Sequence, residues 1–400
     1  GDISVTSGNG EVKVENNITS HAGDISVTSK IGDIRSSGVL TASKTVSLNA
    51  LTSGEIYVNN QVNGKDIAIQ TDFGDIETIA EGTLTATATN GTGGTITVDA
   101  TKGNIILRGT TTADQKVELK SSEGSVTVTN AVTSNAGNIS ITSTKGDITS
   151  SGVLTANQKV SLNALTSGKI EIYNQINGKD IEIQTANGNI ETNATGTLTA
   201  TATGGTITVG ATEGTIVLGS AVTADQKVDM DATAGSVTLN GAVESVAGEV
   251  EVAANEAVTA NATVKAKTDV TLSSTAGDVT TGEKVTATSG TVSIATGTGN
   301  ISVQAAEAGK DISLKTTEGN ITNSGVLTAK ETVSLNAVTS GNINVNNQIT
   351  GKDIEIQTAN GTIETNATGT LTAAATGGTI TVGATHGNIV LGSAATADQK

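Results

Sequence analysis

The sequence predicts an all-β fold, a single-stranded parallel β-helix (β-solenoid) with three short strands in each turn. The first observation is a pair of aliphatic residues with i, i+2 spacing, such as Ile139/Ile141, which returns about every 21 residues. A spacing of two places both side chains on one face of a strand, and a fixed repeat of this length is typical of solenoids. The second observation is the composition, with 48 Gly but no Pro, Cys or Trp among 400 residues. Strands that pair on both sides disfavour Pro, and a narrow coil needs little aromatic volume.

The aliphatic pairs form one unbroken series of about 18 turns. Its members are Ile3/Val5, Ile25/Val27, Val46/Leu48, Ile67/Ile69, Ile96/Val98, Val117/Leu119, Ile139/Ile141, Val160/Leu162, Ile181/Ile183, Ile207/Val209, Val228/Met230, Val250/Val252, Val270/Leu272, Val292/Ile294, Ile312/Leu314, Val333/Leu335, Ile354/Ile356 and Ile380/Val382. We expect them to stack as a column inside the coil, each buried side chain contributing about 1.5–3 kcal/mol. Because no turn can cover its own upper and lower surfaces, stability must come from neighbouring turns.

Each turn divides into three strands separated by Gly or small polar residues. In the turn 137–158 the predicted strands are 138–142, 147–149 and 153–156, and the third strand is the shortest. The second strand often follows Gly, as at Gly146, Gly188, Gly235 and Gly319, and we expect this Gly to supply a positive φ for a tight corner. The Asn pairs at 16–17, 59–60 and 346–347 are expected to stack as amide ladders.

The sequence also contains a longer repeat, which spans several turns. Copies occupy residues 32–116, 146–227 and 319–400, and the first copy carries a three-residue insertion near Asn90-Gly91-Thr92. We therefore expect residues 1–400 to form one continuous solenoid, a window of a longer repeat array. Three turns are longer than the rest, and their extra residues predict loops on one face at 85–95, 199–206 and 372–379.

Charge and composition exclude several classes of function. The net charge of −17, with no run of Lys or Arg, argues against nucleic acid and anionic membrane surfaces. No stretch approaches the roughly 18 apolar residues of a membrane span. The absence of Cys excludes disulfides and is compatible with export in an unfolded state.

The residues needed for catalysis or for a cofactor are not grouped in the sequence. His21 and His386 are far apart, and the aromatic residues are limited to Tyr57, Phe73 and Tyr173. A Ser–His–Asp hydrolase, a transition-metal site or an aromatic sugar platform cannot be argued from this set. We predict a protein that is not an enzyme, has no cofactor, and has no catalytic, cofactor-binding or metal residues.

Weaker candidates remain on the surface. Asp229 and Asp231, with Glu249 and Glu251 one turn on, are the densest acidic group, and a solvated face explains them better than a divalent cation. The recurring Glu182 and Glu355 are interpreted in the same way. An ice-binding plane is disfavoured because outward residues on the first face vary, although the third face carries Thr41, Thr85, Thr155, Thr199, Thr328 and Thr372. Asn-x-Ser/Thr sequons begin at Asn17, Asn90, Asn138, Asn193, Asn261, Asn300, Asn320, Asn360 and Asn366, a number that chance favours in this composition.

The Gly-Asp-Ile-x-Val and Gly-Asn-Ile-x-Val units carry a resemblance to a known family. Units such as Gly1-Asp2-Ile3-Ser4-Val5, Gly23-Asp24-Ile25-Ser26-Val27 and Gly299-Asn300-Ile301-Ser302-Val303 resemble filamentous haemagglutinin-type exoproteins, which include two-partner-secretion adhesins and contact-dependent inhibition stalks. The resemblance covers the whole chain. It implies a right-handed parallel β-helix that acts as an elongated shaft, extracellular on a bacterial cell surface.

The functional expectation is therefore structural. We expect the shaft of a surface fibre or adhesin, whose partners are other copies of itself, by end-to-end or lateral contacts. The alternatives are a module that binds a receptor or glycan on a host or neighbouring cell through loops on one face, and a filament subunit that stacks end to end. We expect neither nucleic acid binding nor membrane insertion.

Overall fold

The computed structural model describes residues 1–373 and 375–398 and confirms the predicted fold class, a parallel β-solenoid with coils of roughly 21 residues. Those residues form strands, turns and bends, without any helix. Two compact units are present, Gly1–Ala202 and Thr203–Lys400. Residue 374, which belongs to the predicted loop 372–379, lies outside the described residues, as do 399 and 400, and all three belong to the predicted copy 319–400. One continuous solenoid over 1–400, its right-handed sense and its place in a longer array stay predictions.

In the first unit each turn carries a longer strand on a first face and three-residue strands, or one of two residues, on a second and a third face. The first-face strands are Ile3–Ser7, Ile25–Ile31, Thr45–Ser53, Asp66–Thr71, Thr95–Ala100, Lys116–Ser121, Ile139–Ser143, Lys159–Ala164 and Asp180–Asn187. The second-face strands are Val12–Val14, Ile34–Ser36, Ile56–Val58, Ile76–Thr78, Ile105–Leu107, Val126–Val128, Ile148–Ser150, Ile170–Ile172 and Ile190–Thr192. The third-face strands are Ile18–Ser20, Leu40–Ala42, Val62–Gly64, Leu84–Ala86, Thr111–Ala113, Val132–Ser134, Leu154–Ala156, Ile176–Asn177 and Leu198–Ala200.

The second unit follows the same plan. Its first-face strands are Thr206–Glu213, Lys227–Ala232, Glu249–Ala254, Val270–Ser274, Val292–Thr296, Ile312–Glu318, Thr332–Ser340, Asp353–Asn360 and Ile380–His386. The second face has Ile216–Leu218, Val237–Leu239, Val258–Ala260, Ile321–Asn323, Ile343–Val345, Ile363–Thr365 and Ile389–Leu391, and the third has Val222–Ala224, Val243–Ser245, Val264–Ala266, Leu327–Ala329, Ile349–Gly351, Leu371–Ala373 and Ala395–Ala397. Two strands, Val279–Ala287 and Ile301–Ala308, run through the corner and serve both faces, with a register shift between Thr281 and Lys284. In these two turns the second-face and third-face segments are joined in one strand.

The aliphatic pairs lie over one another within each unit, as predicted. Ile139 pairs in parallel with Val117 before it and Val160 after it, and all three side chains are fully buried. The second face contributes another buried column, in which Ile148 lies between Val126 and Ile170. The alternation of buried and half-buried residues along each strand follows from the two-residue period of a pleated strand.

At all four predicted corner glycines a Cβ would meet the backbone of the preceding turn, and only two of the four also have positive φ, so the predicted positive φ is only partly right. Gly188 and Gly319 have φ of 155° and 153°, but Gly146 and Gly235 do not adopt positive φ. A Cβ at Gly146 would lie 2.4 Å from the carbonyl oxygen of Gly124, because the same corner of the preceding turn lies directly beneath it. At Gly146 and Gly235 it is the close approach of two backbones that requires glycine.

The residue after the corner Gly explains why Asp and Asn recur there. Its side-chain oxygen accepts a hydrogen bond from a backbone N–H one turn later, as when Asp147 accepts from Lys169 N at 2.9 Å. In the second unit Asn300 and Asn320 extend this into an amide ladder, since Asn320 Nδ2 donates to Asn300 Oδ1 at 3.0 Å. At the corner before the first face, the N–H and hydroxyl of Thr379 hold the pKa of Asp353 below its usual value.

The predicted Asn-Asn pairs use their amides differently. Asn60 Nδ2 donates to the backbone oxygen of Ser37 at 3.1 Å, and Asn347 Nδ2 donates to that of Ser324 at 3.2 Å. These amides therefore fasten a corner to the backbone of the preceding turn. The contact between two amides in this region is the 3.2 Å bond from Asn366 Nδ2 to Asn346 Oδ1.

Buried hydroxyl groups brace the corner between the first and second faces. Ser143 is fully buried, and its Oγ donates to Gly124 O at 2.9 Å and accepts from Gly146 N at 2.8 Å. Thr185 and Thr358 donate in the same way to Gly168 O and Gly341 O, each at 2.8 Å. A buried carbonyl without a hydrogen-bond partner is costly. These hydroxyls therefore supply the hydrogen bonds that the backbone ladder does not provide to the carbonyl groups at the corner.

Candidate functional surfaces

The outward positions of the third face form a column of Thr residues in the first unit, interrupted by two Asn. The parallel register joins Thr19, Thr41, Asn63, Thr85, Thr112, Thr133, Thr155, Asn177 and Thr199. Only part of this Thr column can be read from the sequence, because unequal turn lengths hide the register. The third-face column of the second unit includes Glu244, Lys265 and Glu307 among its Thr residues. Each turn supplies one outward residue here, so the face offers a single rank of hydroxyls and not the two ranks of an ice-binding plane.

Three members of the predicted acidic group, Asp229, Glu249 and Glu251, surround the ammonium group of Lys227, a contact that the charge pattern along the chain does not indicate. Lys227 Nζ lies 2.8 Å from Glu251, 3.3 Å from Glu249 and 3.6 Å from Asp229. The strands place all four side chains on the first face, because Lys227 pairs with Glu249 and Asp229 with Glu251. The ammonium group thus occupies the position that a divalent cation would otherwise take among these carboxylates.

Lys227 and Asp229 have pKa values that differ from their usual ones. The hydrogen bond to Glu251 raises the pKa of Lys227 well above its usual range, with burial opposing the shift. Burial raises the pKa of Asp229, and Lys227 opposes that rise. The Lys227 contribution to stability is therefore present below pH 10.5 and lost as pH rises through its folded-state pKa, whereas the Asp229 carboxylate opposes folding increasingly as pH rises above 3.8.

A second charged cluster lies on the second face of the first unit. The Arg35 guanidinium stacks over the Tyr57 ring with 3.8 Å between the guanidinium carbon and the ring centroid, and it contacts Glu11 at 2.7 Å and Asp33 at 3.0 Å. The Tyr57 hydroxyl donates to Glu55. With its guanidinium engaged by two carboxylates and an aromatic face, Arg35 links three turns and is not available to hold an anionic ligand.

The remaining sequence candidates are dispersed. Glu182 pairs with Lys159, while Glu355 is exposed. Phe73 is an exposed corner residue beneath Lys102, and Tyr173 is exposed after a second-face strand. His21 is an exposed bend residue of the first unit, and His386 is exposed at the end of a first-face strand of the second.

Within residues 1–373 and 375–398, no group of three or more His, Cys, Asp or Glu side chains is arranged to hold a metal ion. The same ranges contain no helix with the length and apolar character that crossing a bilayer requires.

The predicted loop 85–95 contains a small hairpin. Thr89 and Thr92 form an antiparallel bridge with N–H···O distances of 3.0 and 3.1 Å, and Asn90 and Gly91 both have positive φ, 53° and 74°. Two central residues with positive φ define a type I′ turn, for which Asn-Gly is the preferred dipeptide. The three-residue insertion of the first copy therefore builds a turn that projects from the coil.

A polar groove of about 420 Å³ lies on the first face of the second unit. Asn336 and Gln357 are paired neighbours on one side of it, and Gly383 follows in the same outward column, where the absent side chain opens the groove. Val338 and Ala384 also line it. In the first copy the corresponding column is Asn49, Gln70 and Asp99, so a carboxylate stands where Gly383 leaves space.

Comparison with known proteins gives no family for this chain: no family model, no curated protein and no solved structure matches it. The class that the structure defines is a parallel β-solenoid repeat protein.

Proposed function

We propose that this chain is the load-bearing shaft of an extracellular bacterial surface fibre or adhesin of the filamentous haemagglutinin type, without catalytic activity. The observation that carries the proposal is the unbroken register within each unit, where every first-face strand pairs in parallel with its neighbours. The resemblance of the Gly-Asp-Ile-x-Val units supports the family and the location.

Repetition suits a shaft because each turn contacts only its neighbours and turns can be added without redesigning the core. The corners add to the backbone ladder. In the turn that begins at Gly137, for example, Ser143, Gly146 and Asp147 take part in four hydrogen bonds that involve a side chain at one corner, three of them to adjacent turns. A pull on the chain ends must break these bonds turn by turn.

Single-molecule stretching of residues 1–400 between handles at the two ends tests the mechanical part. We expect stepwise extension in which each step releases whole turns, roughly 70 Å for 21 residues at 3.3–3.6 Å per residue. In the Gly168→Ala variant, the turn that contains residue 168 should unfold at the lowest force within the first unit. The Gly8→Ala variant should unfold at the same forces as the unaltered chain. Extension without resistance, or without steps of whole turns, would contradict a load-bearing role.

Location needs a separate measurement. Antibody raised against residues 1–400 should bind intact, non-permeabilised cells that make the parent chain, and external protease should remove the signal. Staining that requires permeabilisation would exclude a surface fibre whatever the stretching experiment shows.

A glycan-binding module is the second candidate, and the groove at Asn336 and Gln357 favours it. Side-chain amides both donate to and accept from sugar hydroxyls, which suits them to carbohydrate recognition. Gly383→Asp reproduces the residue of the first copy, and a Cβ at Gly383 meets nothing within 4 Å, so the variant should fold. A glycan array that shows binding, lost in Gly383→Asp but kept in Asn49→Ala, would support this candidate, and binding unaffected by Gly383→Asp would exclude the groove.

A further inference from the structure

The structure separates the nine Asn-x-Ser/Thr sequons, which the sequence alone could not rank. All nine Asn residues are exposed, so exposure does not distinguish them. Their side-chain hydrogen bonds, however, distinguish them. In eight of the nine the side chain takes part in a hydrogen bond, to another turn or within its own loop: Asn17, Asn138, Asn193, Asn261, Asn300, Asn320, Asn360 and Asn366.

These bonds tie most of the eight residues to the stacked turns. Asn138 Oδ1 accepts from Lys159 N at 3.0 Å, and Asn360 Nδ2 donates to Thr339 O at 2.7 Å. Where such an amide is held against the neighbouring turn, its Oδ1 or Nδ2 already has a partner, and an enzyme that must orient the amide has to displace that hydrogen bond. The local bonds of Asn193 and Asn366 to Thr195 and Thr368 keep those amides folded onto their own loops.

Asn90 differs from the other eight. It occupies the tip of the type I′ hairpin, and its side chain makes no hydrogen bond within residues 1–373 and 375–398. Thr92, at the +2 position of the sequon, is exposed, with its Oγ1 bonded to Thr89 O and Lys65 Nζ at 3.0 Å each. A Cβ at Gly91 would meet nothing within 4 Å, so the space around the tip is open.

We propose that Asn90 is the preferred N-glycan acceptor of this chain, modified by a transferase that uses a nucleotide-activated sugar. Asn-x-Ser/Thr is the acceptor signal for such transfer and is used on surface loops. In the reaction the Asn90 Nδ2 forms a bond to the anomeric carbon of the sugar. The bond from that carbon to the diphosphate breaks, the nucleoside diphosphate leaves with the electron pair, and the amide proton passes to a base of the transferase.

The test is in vitro glycosylation of folded residues 1–400 with a purified asparagine glycosyltransferase and a nucleoside diphosphate hexose, read by peptide mass spectrometry. We expect early occupancy at Asn90 at least tenfold above that at any other sequon. Tryptic peptides of the same chain should be modified at several sequons, because the selectivity comes from the fold.

Matched variants separate the site from general effects. Asn90→Asp, which suits a positive φ, and Thr92→Ala should each reduce early hexose incorporation more than fivefold, while Thr92→Ser and Asn138→Gln should not. Modification of the folded chain spread evenly over the sequons, or an unmodified Asn90 in the folded chain beside a modified Asn90 peptide, would overturn the proposal. Neither result bears on the role of the chain as a shaft.

Discussion

Four glycines of the first unit allow backbone strain and close packing to be tested separately by substitution with Ala. Gly8 has neither constraint, since a Cβ there meets nothing within 4 Å and its φ is not positive. Gly91 has positive φ, 74°, and open space. Gly146 has no positive φ, but its Cβ would lie 2.4 Å from Gly124 O. Gly168 combines a φ of 123° with an approach of 2.1 Å to Gly146 O.

The expected losses of stability follow from these geometries. An Ala in the left-handed region costs roughly 1–2 kcal/mol, which is the expectation for Gly91→Ala. For Gly146→Ala the two turns must separate by about 1 Å to reach an ordinary contact, which disturbs the 2.8 Å bond from Gly146 N to Ser143 and the 3.0 Å bond from Asp147 N to Ser125. At about 1 kcal/mol for each bond, the expected loss is roughly 2–3 kcal/mol. Gly168→Ala should lose about 3–5 kcal/mol, and Gly8→Ala less than about 0.5 kcal/mol.

Urea unfolding followed by circular dichroism measures the free energy of unfolding, and hydrogen exchange locates the effect. The amide of Lys169, which donates to Asp147, should lose protection in Gly168→Ala and keep it in Gly8→Ala. If Gly146→Ala were as stable as Gly8→Ala, close stacking would not be the reason for that glycine. If Gly91→Ala were as destabilised as Gly168→Ala, backbone strain alone would explain both.

Three further substitutions test the core, a corner and the acidic group. Leu162→Ala removes a fully buried side chain and should lower the free energy of unfolding by about 2–5 kcal/mol in urea titrations, with Ser161→Ala as the outward control. Ser143→Ala leaves the carbonyl of Gly124 without its donor and should cost about 1–3 kcal/mol; a thermal unfolding curve that matches the unaltered chain would contradict the bracing role. Lys227→Met removes the shared cation and should cost about 1 kcal/mol at pH 7. That loss should shrink towards pH 4, because the raised pKa of Asp229 lets this carboxylate take up a proton and leaves Lys227 with one charged partner fewer. Lys145→Met, which removes one exposed ion pair at 3.5 Å, should change stability less at both pH values.

The sequence predicts the first face well because the inward residues there are strictly periodic. The spacing of Ile139 and Ile141 predicts a strand with both side chains on its inner face, and both are buried in the structure. The hydroxyl column of the third face was underestimated for a physical reason. Thr85 and Thr112 are paired neighbours although 27 residues separate them, because the intervening turn contains the hairpin. A column with uneven spacing can be read only once the strands are aligned.

The role of Lys227 was missed for a related reason. It precedes the aliphatic pair Val228/Met230 and looks like an ordinary exposed lysine, whereas its partners Glu249 and Glu251 are more than twenty residues later. Contact across turns depends on register, which charge patterns along the chain do not reveal. The corner Asp and Asn residues were recognised as a motif, but their hydrogen-bonding purpose also depends on the neighbouring turn.

The hydrogen bonds at the two Gly-Asp corners all point in the same direction along the chain. Asp24 N donates to Asp2, Thr45 N donates to Asp24, and Lys169 N donates to Asp147, so an amide of the later turn always meets a side chain of the earlier one. A folded turn thus already carries the side-chain acceptors to which the amides of the next turn will bind. Assembly that proceeds vectorially from the amino-terminal side, as a polypeptide leaves a ribosome or a pore, can fix each new turn at once without waiting for downstream sequence.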